Sequence, residues 1–447
     1  MNEKNNLTTG SAGKTLIRFA LPFLLASFLQ TFYGMADLYV IGKFNGSEST
    51  TAVSIGSQIM HMITVMTVGF TTGITVRVGR AIGEKNKNEI SRAIGSSSLV
   101  YMLFSFLSAI VLFLASAVLV RVMQTPAESV PETDIYLKIC LLGIPFITLY
   151  NIVSGIYRGL GNSKLPMIFV GIACVVNVIL DFLLVGFFKM GAAGAAFATV
   201  SGQAVSSITA LIHIRKHDMG IKINKSDFCF NMKQLMPSLK IGFPIAMQDG
   251  FIQIAFIIIT VIANMRGLTA ATAVGIVEKI IGFMFLVPSA LLSAVSAMTA
   301  QNLGAGNRKR ARLILRYGII ITSVYGLICG IYNQFLPETL VGLFTKDDAV
   351  LLDGCEYLMS YSFDVLFAGI HFCFSGYFCG DQKSVISFIH NIASIILMRI
   401  PGAYLASKLF PETLWPMGLA APLGSLLSVI ICSVFYFFFL KKEKSEK

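Results

Sequence analysis

Long apolar runs, broken at intervals by short charged or Gly/Pro-rich connections, account for nearly the whole chain. Runs of about 20 or more apolar residues are long enough to cross a bilayer as helices. Twelve such spans are predicted, near 16–42, 51–76, 94–120, 135–157, 165–188, 191–212, 241–265, 270–300, 313–336, 355–379, 384–407 and 414–440. Their spacing leaves no stretch for a separate soluble, nucleotide-binding or receptor domain. The first run continues past Asp37 with no small-residue cleavage site. That predicts an uncleaved first span instead of a signal peptide.

The pattern also repeats, at an offset of 221 to 222 residues. AVSI from Ala52 pairs with AVGI from Ala273, and AIGEKNK from Ala81 with NLGAGNR from Asn302. Tyr136 pairs with Tyr357, SGIYRG from Ser154 with SGYFCG from Ser375, and Pro22 with Pro244. Each copy holds six spans, an even number, so both enter the membrane in the same orientation and are related by an axis along the membrane normal. The fold class expected is an all-α polytopic membrane protein with 12 transmembrane helices, arranged as two six-helix bundles under a pseudo-two-fold axis. The lobes are expected at 1–212 and 241–447, with the polar stretch 213–240 as a cytoplasmic linker. Duplicated lobes of this kind line the central cavity of secondary transporters.

Composition agrees: 55% of residues are hydrophobic and 13% charged, where soluble domains carry about a quarter charged. The net charge of +12 would suggest nucleic acid in a soluble chain. Here most Lys and Arg flank alternate connections, which is the positive-inside pattern. It predicts both termini in the cytoplasm, a cell-membrane location and no nucleic-acid partner. Eight cysteines lie scattered with no CxxC spacing, so neither a disulfide framework nor a metal site is indicated. No HExxH, Gly-framed serine or Walker A motif occurs, so an enzyme is not expected.

Ionisable residues inside the spans carry the chemistry. A charge at mid-bilayer costs roughly 2.5 to 3.5 kcal/mol on insertion scales, so each needs a reason. Gln30, Tyr33 and Asp37 recur at i, i+3 and i+7 and share one face of the first span. Asn177 and Asp181 share a face of the fifth, and Thr199 follows a run of small residues, GAAGAAFA, on the sixth. At 1.5 Å per residue, Asp37 lies roughly 9 Å from Lys43, Asp181 roughly 12 Å from Lys189, and Thr199 roughly 15 Å from that same turn. The three therefore sit at similar depth. Two carboxylates, an amide and a hydroxyl form a hard oxygen set suited to Na+, with Asp37 and Asp181 as its charged ligands. A buried acid beside a second acid can take up H+ instead. The alternative is a packing carboxyl, hydrogen-bonded to Tyr33 or Gln30.

The second copy has no acid at the positions matching Asp37 and Asp181. It carries Glu278 with Lys279, Asp364 and Arg399 at comparable depth, either as salt bridges or as acids facing a substrate, and Asp249 nearer the inner side. His371 and His390 lie near the membrane interior and read as packed, hydrogen-bonded residues.

The segments ALPFLLASFLQTFYGMADLYVIG, GIYRGLGNSKLPM, NVILD, GAAGAAFATVSG and AQNLGAGNRKRA, in this order within a 6+6 repeat, resemble the multidrug and toxic compound extrusion (MATE) family of secondary transporters. The resemblance spans essentially the whole chain. It implies efflux of amphipathic, often cationic organic compounds in exchange for Na+ or H+ by alternating access, with no cofactor, in a monomer. It also implies that Asp37, Asn177, Asp181 and Thr199 couple the cation, as in the branch with an N-lobe ion site. Gln30, Tyr33 and Asn151 match cavity residues and Pro22 a helix-bending proline. Asp249 and Asp364 match the acids of the other branch only approximately. The 35 Phe and 19 Met suit a surface that repacks around varied guests. The rival expectation is a flippase or exporter of a lipid-linked or endogenous metabolite, which would line its cavity with Arg and Lys.

Overall fold

The computed structural model describes residues 6–217 and 224–445, and among these no β-strand occurs. Among the described residues eleven helices, or twelve counting one bent pair, are long and apolar enough to cross a membrane. In chain order they are α1 (Ala12–Phe44), α2 (Ser47–Gly83), α3 (Lys87–Leu114), α4 (the pair Ala127–Leu142 and Ile144–Gly159), α5 (Lys164–Phe187), α6 (Gly191–Lys216), α7 (Met232–Asn264), α8 (Leu268–Gly304), α9 (Arg308–Phe335), α10 (Asp348–Gly380), α11 (Ser384–Leu409) and α12 (Trp415–Lys441). The expected spans are all present, most with ends reaching beyond the apolar core. Such ends need capping. Asn86 accepts a hydrogen bond from Glu89 N at 3.1 Å to open α3, and Asp347 accepts from Ala349 N and Val350 N to open α10. In α4 the two halves meet at 43°, where Gly143 is followed by Pro145, a residue without the N–H that would carry the helix through.

Two compact units form: Leu21–Ala246 with Met1–Leu7, and Met247–Lys447 with Thr8–Ala20. In the first, α4 packs against α2, α3 and α6, and α5 lies along α6. In the second, α10 packs against α8, α9 and α12. α10 is 72% buried over its most apolar window, against 22% for α12, so it is the central helix of its bundle. α4 holds the matching place, and the paired tyrosines Tyr136 and Tyr357 are both buried. On α3, Leu103, Phe104, Phe106, Leu107, Ile110 and Val111 are exposed, the lipid-facing side of a span at the edge of its bundle.

Lipid tails are as apolar as leucine, so close backbone contact and hydrogen bonds hold such bundles together. α2 meets the first part of α7 in this way. A Cβ on Gly73 would lie 2.2 Å from Ser238 O, so the two backbones touch. Arg77 donates through Nε to Glu89 Oε1 at 3.1 Å, through Nη2 to the same oxygen, and through Nη1 to Gln234 O and Ser238 Oγ. Ser97 donates to Ser238 Oγ at 2.9 Å. These contacts place residues 232–246 in the first unit. In the second unit, Arg310 donates to the carbonyls of Gly10 and Thr9, the latter at 2.6 Å.

The expected linker at 213–240 therefore differs from what is observed. α6 runs to Lys216, residues 218–223 lie outside the described residues, and Lys225–Asp227 form one helical turn. By Met232 the chain is already in α7. The unit boundaries fall at Ala20/Leu21 and Ala246/Met247, within two residues of Pro22 and Pro244, the prolines that the repeat places in register.

Candidate functional site

The first unit brings together the four residues expected to act on a cation. Asp37 on α1 is 4% exposed, Asn177 and Asp181 on α5 are 2% and 0% exposed, and Thr199 comes from α6. Small residues make this possible. Ala192, Ala195, Ala196 and Ala198 are buried along α6, and a Cβ on Gly202 would stand 3.0 Å from Ala173 O of α5. The two helices are thus close enough for Thr199 to reach inward. Directly after Asp181 the α5 backbone widens into a π turn, Phe182–Phe187, a feature that recurs at functional positions in helices.

Thr199 Oγ1 donates to Asp37 Oδ2 at 3.0 Å, while Asp181 and Asn177 interact with the same carboxylate. Four acceptor atoms are left over. Asp37 Oδ1, both carboxylate oxygens of Asp181 and Asn177 Oδ1 are buried with no hydrogen-bond partner. Unpaired acceptors out of contact with water are costly. A cation among them, or a proton on one carboxylate, removes that cost.

Of the two partners the packing alternative named for Asp37, Tyr33 uses its hydroxyl to accept from Gln203 Nε2 at 3.2 Å. Gln203 lies one helical turn beyond Thr199 and so shares its face, a spacing from which it could have been expected beside the site. Gln30 is half-buried. Asn151 is buried and spends its amide on Ile147 O at 2.9 Å, four residues back. Pro22 is buried within α1.

The second unit divides its charges differently from the single set expected. Asp364 is 0% exposed and pairs with Arg399 Nη2 at 3.2 Å, which also donates to Ser425 Oγ at 2.8 Å. Asp364 is thus fully buried and ion-paired. Glu278 takes no part in that pair. Its Oε2 accepts from Thr260 at 3.4 Å and its Oε1 is buried without a partner, while Lys279 is exposed. Asp249 is partly exposed beside Gln248, whose Oε1 accepts from Ser387 at 2.7 Å. His371 and His390 are buried, each hydrogen-bonded to a serine, Ser425 at 3.3 Å and Ser375 at 2.8 Å. α11 carries its own π turn, Ile395–Arg399, ending on the paired arginine. Sequence spacing gave no sign of either π turn.

The MatE family model matches this chain twice, over residues 22–183 and 244–405, which are the two copies of the internal repeat. The chain is 26% identical to the "Probable multidrug resistance protein YpnP" of Bacillus subtilis, over 99% of its own length and 98% of that protein. It is 24% identical to the "Multidrug export protein MepA" of Staphylococcus aureus, over 94% and 93%. Among solved structures, a MOP superfamily transporter from Pyrococcus furiosus superposes with a TM-score of 0.93 at 20% identity, covering 99% of both chains.

Proposed function

The chain belongs to the MatE family of multidrug efflux transporters, whose members are transporters and not enzymes, and from that premise we propose that it is a cation-driven antiporter. It exports amphipathic, often cationic organic compounds in exchange for Na+ or H+ by alternating access. It works as a monomer in the cell membrane, with both termini in the cytoplasm. Asp37, Asn177, Asp181 and Thr199 hold the coupling ion.

One observation carries this reading: at one locus four buried oxygen acceptors of Asp37, Asp181 and Asn177 outnumber the donors, which are Thr199 Oγ1, already spent on Asp37 Oδ2, and the Asn177 amide nitrogen. Such a locus is held at a cost unless a cation visits it. Na+ fits because all four are hard oxygen atoms. A proton fits because two carboxylates that interact in a dry environment resist ionising together. Either ion changes the net charge of the site by one, and so gives a driving gradient something to act on.

Gln30, Tyr33 and Asn151 are proposed as cargo contacts of the first lobe. In the second lobe Asp249 and Glu278, whose carboxylates are not ion-paired among the described residues, face the cargo, and Asp364 with Arg399 holds the bundle together. Pro22 and Pro244 serve as bending points, since a helix-interior proline removes a backbone hydrogen bond and kinks the helix.

The test is transport in vesicles. Efflux of a fluorescent organic cation is followed under an imposed Na+ gradient and, separately, under a pH gradient. The gradient that drives efflux names the ion. Efflux under neither would overturn the antiport reading.

A further inference from the structure

The segment GIYRGLGNSKLPM contributes nothing to the cation locus, yet it contains a polar group in an unusual state. Arg158, in the last turn of α4, has Nε and Nη2 both buried and both without a hydrogen-bond partner. Its guanidinium stands over the Phe23 ring, 5.8 Å from the centroid. Among the described residues no carboxylate pairs with it. One turn back on the same face, Ser154 is 2% exposed and its hydroxyl interacts with the Tyr150 phenol. The Tyr150 phenol, a further turn back, interacts electrostatically with the guanidinium but donates its own proton to Pro166 O at 3.3 Å.

Two other spans turn an arginine inward, and both pair it with a carboxylate. Arg77 grips Glu89 through Nε and Nη2, and Arg399 pairs with Asp364 and Ser425. In Arg77 the Nε–Nη2 edge is the one that holds a carboxylate. That edge of a guanidinium presents two parallel N–H groups matched to two oxygens of a carboxylate or phosphate. In Arg158 the same edge is the orphaned one. The carbonyls at the end of α4 offset part of its charge, but they accept neither N–H. The stacked phenylalanine adds a cation–π attraction and likewise leaves both donors free.

We propose that Arg158 and Ser154 form an oxyanion-binding site, with the Nε–Nη2 edge taking two oxygens of one carboxylate or phosphate group and Ser154 Oγ donating to the same group. The site lies at the end of α4 that, after four crossings, is on the same side of the membrane as the N-terminus. Two sources carry such a group: an organic cargo with an acidic substituent, and the phosphodiester of a phospholipid in that leaflet. Aromatic packing by Phe23 beside the fork suits an anion attached to an apolar body.

The test uses the full chain purified in detergent. Dansylglycine supplies a carboxylate on an apolar body, and dansylglycinamide is its neutral counterpart. Wild type is expected to bind the acid at least tenfold more tightly than the amide, Arg158→Gln to bind both alike, and Ser154→Ala to lose part of the preference. Arg158→Lys, which keeps the charge without the fork, is expected in between. If a phospholipid is the occupant, native mass spectrometry finds one retained by wild type and released by Arg158→Gln, and added phosphatidylglycerol displaces dansylglycine. If the cargo is the source, no lipid is retained and the acid preference stands alone.

Equal binding of acid and amide by wild type, with no retained phospholipid, would overturn the site. So would an Arg158→Gln protein that keeps the wild-type preference. The wild-type comparison decides even where a variant fails to fold. The readout is equilibrium binding, so the site does not rest on the antiport reading, and a failure of gradient-driven efflux leaves it untouched.

Discussion

Replacing Asp37 with asparagine tests the coupling site most directly. The amide keeps the shape of the carboxylate, and Thr199 Oγ1, now 3.0 Å from Oδ2, can donate to the amide oxygen. The variant therefore removes a charge without opening a cavity. A monovalent cation held about 4 Å from the lost carboxylate forfeits about 4 kcal/mol of attraction at an effective dielectric of about 20. At about 1.4 kcal/mol per decade, affinity falls about a thousandfold for Na+ or H+ alike. The assay is counterflow of an organic cation in proteoliposomes across a range of ion gradients, with size-exclusion and melting profiles to verify folding. Asp37→Asn is expected to fold as wild type and to lose gradient-driven efflux at every accessible ion concentration. Wild-type efflux with an unchanged half-saturating ion concentration would leave Asp37 as a packing residue with no part in coupling.

Thr199→Val removes a hydroxyl oxygen from the proposed ion ligands, a polar contact to a charged group worth about 1.5–3 kcal/mol. A site that binds Na+ should then need roughly ten- to a hundredfold more of it for half-maximal efflux, with maximal rate retained. Gly73→Leu forces a side chain into the Ser238 carbonyl and should lower the detergent melting temperature, a cost of about 1–3 kcal/mol or more. Gly34→Ala is the control, since a Cβ there meets nothing within 4 Å. Asp364→Asn strands Arg399 and should destabilise by about 3–5 kcal/mol, whereas the double variant Asp364→Leu/Arg399→Met should recover most of the loss in thermal unfolding.

The twelve spans, the duplication and the depth of Asp37, Asp181 and Thr199 were legible because a bilayer imposes its thickness on every segment and helices add 1.5 Å per residue. Depth and helix face were enough to group those three with Asn177. Periodicity does not report which bundle a helix end joins, because lipid and a neighbouring helix are equally apolar. Hence residues 8–20 and 232–246 could not be assigned correctly from pattern alone. The π turn after Asp181 escaped for another reason: FLLVGF satisfies an α-helix equally well, and only tertiary contacts select the wider turn. Glu278 was grouped with Lys279 by adjacency, yet neighbours in sequence point to different sides of a helix, and Thr260 of α7 became its partner instead.

The interchange of helix ends has a consequence for biosynthesis. Arg310 and the carbonyl of Thr9 that it holds are separated by 301 positions, so the Thr9 segment must wait for this anchor until the ribosome has delivered the opening part of the second repeat. The first lobe in turn stays unfinished until the stretch through Ala246 has emerged.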